Sequence, residues 1–66
     1  MKHVIYIDEY FGENLTRICR EQKSKVYGET STRYPSGWKT LVKVWNTRLN
    51  KMVWVRKDND IVAVID

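Results

Sequence analysis

The stretch KVWNTRLNKMVWVRK, residues 43–57, interleaves Trp45, Met52 and Trp54 with Lys43, Arg48, Lys51, Arg56 and Lys57, and it contains no acid. Flat indole rings stack on nucleobases, while lysine and arginine neutralise phosphates, so this mixture suits nucleic acid. Trp, Met and Arg are also enriched at the cores of protein–protein interfaces, where lysine is depleted. Both chemistries are binding chemistries, and neither needs a reactive group.

Reactive groups are scarce. His3 is the only histidine and Cys19 the only cysteine, so no Cys/His spacing can build a metal cage and no disulfide can form within the chain. Cys–His catalysis would need a base and an orienting group in a pocket, for which a domain this small has little room. Cys19 is therefore expected as a small core residue, and His3 as a residue of the terminus. Asp8, Glu9 and Glu13 read as charges at a strand end and a helix start, where acids are favoured. No Gly-rich phosphate loop or nucleophile elbow is present. The expectation is a protein with no enzyme activity, no metal and no cofactor.

Charge is segregated along the chain. Residues 1–29 carry five acids and five bases, residues 30–57 carry seven bases and no acid, and residues 58–66 carry three acids. The net +4 is thus the sum of a neutral, a +7 and a −3 segment, which implies one basic surface region. The N-terminal MKHVIYIDEYF is interrupted by Asp8 and Glu9, unlike a signal peptide. No apolar run reaches membrane-spanning length. With a lone thiol, this implies a cytoplasmic protein with no membrane partner.

Sixty-six residues form one domain, residues 1–66. A chain of this size buries only about 60% of the surface its unfolded form exposes. Dense packing or a homodimer would have to supply the missing stability. Val4–Ile7 reads as a strand. From Asn14, the residues Leu15, Ile18, Cys19 and Gln22 recur at three and four, and opposite charges lie four apart at Glu13–Arg17, Arg17–Glu21 and Glu21–Lys25. This predicts a helix over 14–24. GETSTRYPSG, residues 28–37, reads as a flexible loop. WKTLVKVWN, KMVWVRK and DIVAVID then predict a three-stranded antiparallel meander. The fold class expected is α+β, in the order β-α-β-β-β. The alternative is an all-β SH3-like barrel in which residues 14–30 form further strands. That likeness, shared with three-stranded-sheet DNA binders, is one of shape and carries no function with it.

Strand parity sorts the meander into two faces. One holds Val42, Val44, Val53, Val55, Val62 and Val64 and reads as core. The other holds Leu41, Lys43, Trp45, Met52, Trp54, Arg56, Ile61, Ala63 and Ile65. If a helix covered this second face, its cations would snorkel at the edge, but one short helix cannot cover nine positions. The face is therefore expected to bind nucleic acid or a protein partner. Lys39, Lys43, Arg48, Lys51 and Arg56 would contact phosphates, Trp45 and Trp54 would stack or wedge, and Met52 would add apolar contact. The leading expectation is a nucleic-acid-binding or transcription-associated accessory module. The alternative is a small adaptor or inhibitor, of the kind phages and mobile elements use, that docks a host protein through the same Trp/Met face.

Overall fold

The computed structural model describes residues 2–66. Among these, six strands form: β1 (His3–Phe11), β2 (Arg17–Lys25), β3 (Gly28–Tyr34), β4 (Gly37–Asn46), β5 (Lys51–Arg56) and β6 (Ile61–Ile65). The one helical element among them is a 3₁₀ turn at Glu13–Leu15. The strands make two antiparallel three-stranded sheets, ordered β2-β1-β6 and β3-β4-β5. The α+β expectation is overturned: the protein is nearly all-β. None of the helices among the described residues is long and apolar enough to cross a membrane.

The helix expected over 14–24 is instead β2, paired along its whole length with β1 from His3↔Lys25 to Phe11↔Arg17. Its sequence signal was ambiguous for a geometric reason. A spacing of four is even, so residues i and i+4 share a strand face as well as a helix face. Ile18, Gln22 and Val26 are four apart and each is half-buried. The charges find partners across strands rather than along a helix, as Arg17 does with Glu9 at 3.0 Å. Cys19, expected in the core, is exposed on the outer side of β2.

The stretch read as a loop, residues 28–37, is β3, a Pro35–Ser36 turn and the first residue of β4. β3 pairs with β4 from Gly28↔Lys43 to Tyr34↔Gly37. Proline fixes φ near −65° and excludes the mirror-image turns that suit twisted hairpins. Gly37, at φ +121°, takes up the mismatch.

The expected meander is displaced by one strand. It is β3-β4-β5, and β6 leaves to pair with β1. The cause lies in the turn after Arg56. The Asp60 amide donates to the Arg56 carbonyl, the Asp60 carboxylate accepts the Arg56 amide, and the Asp60 carbonyl accepts the Ile7 amide. The chain is thus carried to β1 instead of folding back on β5. The six-valine face breaks accordingly. Val62 is 54% exposed and Val64 half-exposed on the edge strand, while Ile61, expected on the far face, packs against the core.

Between the sheets lie Val4 and Tyr6 of β1, Val42 and Val44 of β4, and Val55 of β5, with Val26, Val53 and Ile61 at the margin. The sheets join at the β2–β3 corner. There the Val26 amide donates to the Lys2 carbonyl and the Tyr27 amide to the Lys43 carbonyl, so one residue step transfers the chain between sheets.

A polar network closes one end of the sandwich. Asp8, 6% exposed, accepts from Arg48 Nε (2.8 Å) and Nη2 (3.0 Å), Asn46 Nδ2 (3.1 Å) and Gln22 Nε2 (3.1 Å). Gln22 Oε1 accepts from the Thr47 amide and hydroxyl, and the Tyr6 hydroxyl donates to the Trp45 carbonyl at 2.7 Å. The Arg48 hydrogen bonds hold the Asp8 carboxyl below the usual carboxylate range, against the opposing pull of burial. Burial raises the Tyr6 phenol above its ordinary value, with the Asp8 charge adding to the effect. Asp8 is therefore a structural acceptor rather than a strand-end charge.

Candidate nucleic-acid interface

Val42, Val44 and Val55 turn one side of the β3-β4-β5 sheet to the core and the other sheet, so its second side faces outward. Cross-strand partners lie on the same side of a sheet, so the register fixes what this side carries. Moving along β4, the rows are Trp45 with Met52; Lys43 with Gly28 and Trp54; Leu41 with Thr30 and Arg56; Lys39 with Thr32; and Gly37 with Tyr34. No acidic side chain belongs to any of these rows.

Trp54 lies on the outer strand β5, one row in from the Trp45–Met52 end of the face. It is 48% exposed, although it lies on a strand packed on its other side. Its ring reaches across Lys43 towards β3, where a Cβ built on Gly28 would lie 3.7 Å from Cη2. Glycine at 28 leaves open the space over which the indole tip lies. Lys43 Nζ stands 5.8 Å from the ring centroid, within cation–π range. The ring is thus held low on the sheet with part of its surface open to solvent.

Arg56 occupies the next row. Its backbone amide and carbonyl are both engaged by Asp60, and its guanidinium makes no ion pair among the described residues. Lys39 stands 3.6 Å from Asp58, a loose and partly exposed pair. At the hairpin end, Tyr34, Pro35, Ser36, Lys39 and Arg56 line an open cleft of about 330 Å³. Lys39 also lines a second cleft, of about 420 Å³, with Trp38, Thr40, Lys57 and Asp58 on the other side of the hairpin. Trp38 has core parity but lies beyond the reach of the opposing sheet and is 70% exposed.

Of the residues singled out in the sequence, Lys39, Lys43, Trp45, Met52, Trp54 and Arg56 come together on this face. Trp45 and Met52 are half-buried at its end. Two do not join it. Arg48 turns back to Asp8, with its guanidinium 4.0 Å above the Tyr10 ring, and is spent on the fold. Lys51 pairs with Asn46 and so has the parity of the buried side, at the exposed start of β5. Tyr34 and Gly28 also lie on this face, within residues 28–37, the stretch expected as a loop, which offered no site residues. The signal was the period-two run Thr30, Thr32, Tyr34 ending at a Pro-Ser-Gly turn.

Among the described residues there is no group of three or more His, Cys, Asp or Glu placed to hold a metal ion, and no buried side-chain polar atom lacks a hydrogen-bond partner. The Asp8–Arg48 network is therefore self-satisfied, whereas Lys43 and Arg56 on the sheet face have no ion pair among the described residues and stand beside the half-exposed Trp54 ring. The chain matches no family model, and neither a curated protein nor a solved structure is significantly similar to it.

Proposed function

We propose that this protein is a small nucleic-acid-binding module that acts by binding rather than catalysis, through the outward side of the β3-β4-β5 sheet. The observation that carries this reading is an acid-free sheet face with half-exposed Trp54 flanked by Lys43 and Arg56. Rings supply sequence-tolerant stacking, and cations supply the phosphate contacts. Lys39 extends the cationic row towards Tyr34. The exposed, unpaired Cys19 fits a reducing compartment, and a cytoplasmic site of action belongs to the same proposal.

The test is fluorescence anisotropy with labelled non-specific DNA and RNA at low salt. The wild-type chain binds, and the Lys43→Glu/Arg56→Glu variant loses binding while keeping its circular dichroism spectrum. Absence of wild-type binding to either nucleic acid contradicts the reading. It would favour instead a protein partner seated on Leu41, Trp45, Met52 and Trp54.

A further inference from the structure

The same face constrains the form of nucleic acid it takes. Resting on the reading above, we infer that the ligand is a single strand, held diagonally from Trp54 on β5 to Tyr34 on β3, with Arg56 and Lys39 on its phosphates between the two rings.

Three observations carry this. First, the two aromatic stations lie on opposite outer strands of the sheet. Their β4 partners are Lys43 and Gly37, six residues apart. At about 3.3 Å per residue the stations are roughly 20 Å apart along the sheet. Second, both remaining side chains with charge in that interval, Arg56 and Lys39, lie between them by register, and both line the cleft that Tyr34 and Pro35 close. Third, the Trp54 ring lies low over Gly28 instead of projecting as a wedge.

A flat ring in this position offers a platform for an unstacked base. It cannot reach a base inside a duplex, whose faces are already stacked. A protruding side chain, in contrast, can pry open a base step from the minor groove. The cleft gives the second base a different environment, with the Tyr34 ring and Pro35 on its apolar side and two cations beside it. A span of this size fits about four nucleotides, the lower end of the site sizes of small β modules. Specificity for one base is not built in, because stacking is tolerant of base identity.

The experiment is an anisotropy titration of wild type with oligothymidylates of two to twelve nucleotides and with a perfect duplex of twelve pairs. Affinity rises with length up to about four nucleotides and then grows only by the statistics of overlapping sites. The single strand binds at least tenfold more tightly than the duplex. Trp54→Ala and Tyr34→Ala each weaken single-strand binding roughly 5- to 150-fold, the range of one lost base stack, while Trp54→Phe restores most of it. A duplex bound as tightly as the single strand overturns the inference while leaving the nucleic-acid reading standing. So does unchanged affinity in both alanine variants, provided their melting curves show they are folded. Failure to bind any oligonucleotide overturns both.

Discussion

Trp54 and Gly28 lie two strands apart, yet the indole tip of Trp54 occupies the space in front of Gly28, 3.7 Å from where a Cβ would be. That distance is ordinary van der Waals contact, and Gly28 has no positive φ among the residues with unusual backbone. Gly28→Ala is therefore expected to fold with a melting temperature within a few degrees of wild type. Gly28→Leu fills the indole's place, lifts the ring from the sheet and shifts tryptophan emission. Its single-strand affinity falls with little change in circular dichroism. Unchanged emission in the leucine variant would show that the ring does not rest there.

Arg48 and Arg56 are separated by their partners. Arg48 is bound in a bidentate pair to Asp8, whereas the Arg56 guanidinium makes no ion pair among the described residues. Arg48→Ala is expected to lower thermal stability and leave the salt dependence of binding unchanged. Arg56→Ala is expected to do the reverse. Paired melts and binding titrations on both variants distinguish them, and the opposite pattern would return Arg48 to the interface.

Asp8 sets an acid limit. Its folded-state pKa is depressed, first by the Arg48 hydrogen bonds. The group therefore contributes stability above its unfolded value of about 3.9, and that contribution is lost as pH falls through the folded value. Melting temperature should hold between pH 5 and 7 and fall below about pH 4, and Asp8→Asn should flatten this fall. At neutral pH the same variant should be destabilised by about 2 kcal/mol, the scale of hydrogen bonds to a charged group. Tyr6, raised by burial, imposes the opposite limit: its contribution is present below about pH 10 and is lost as pH rises beyond that value. A melting profile of Asp8→Asn parallel to wild type in acid would remove Asp8 as the cause.

The two sets of valines should part under mutation. Val44 is fully buried, and Val44→Asp places an unpaired charge in the core at a cost of several kcal/mol, comparable to the whole stability of a small domain. It should not fold. Val62 is a half-exposed edge residue, and Val62→Asp should cost no more than about 1 kcal/mol. Circular dichroism melts of the two check the edge position of β6. An unfolded Val62→Asp would put β6 back beside β5.

What could be read from the sequence follows the range of the signal. In β4 and β5, Val42, Val44 and Val55 alternate with Lys43, Trp45 and Trp54, and the two sets do face opposite ways. β2 was hidden because its four-residue spacing is even and so serves both periodicities. β3 was hidden because its residues are polar or aromatic and exposed, so that no hydrophobic alternation marks it. The pairing of β6 with β1, and of Asp8 with Arg48 at forty residues' separation, depends on contacts that no local pattern encodes. Arg48 has the same composition signal as Arg56, and only the fold shows that its charge is already spent.

The central claim is that cations of one sheet face meet phosphates, and the salt dependence of binding tests it most directly. Three contacts, from Lys39, Lys43 and Arg56, predict a slope of log affinity against log salt of about −2.1 on a single strand. Removing Lys43 or Arg56 by alanine should reduce the slope by about 0.7 each. A slope near zero, or one that neither substitution alters, would contradict the account.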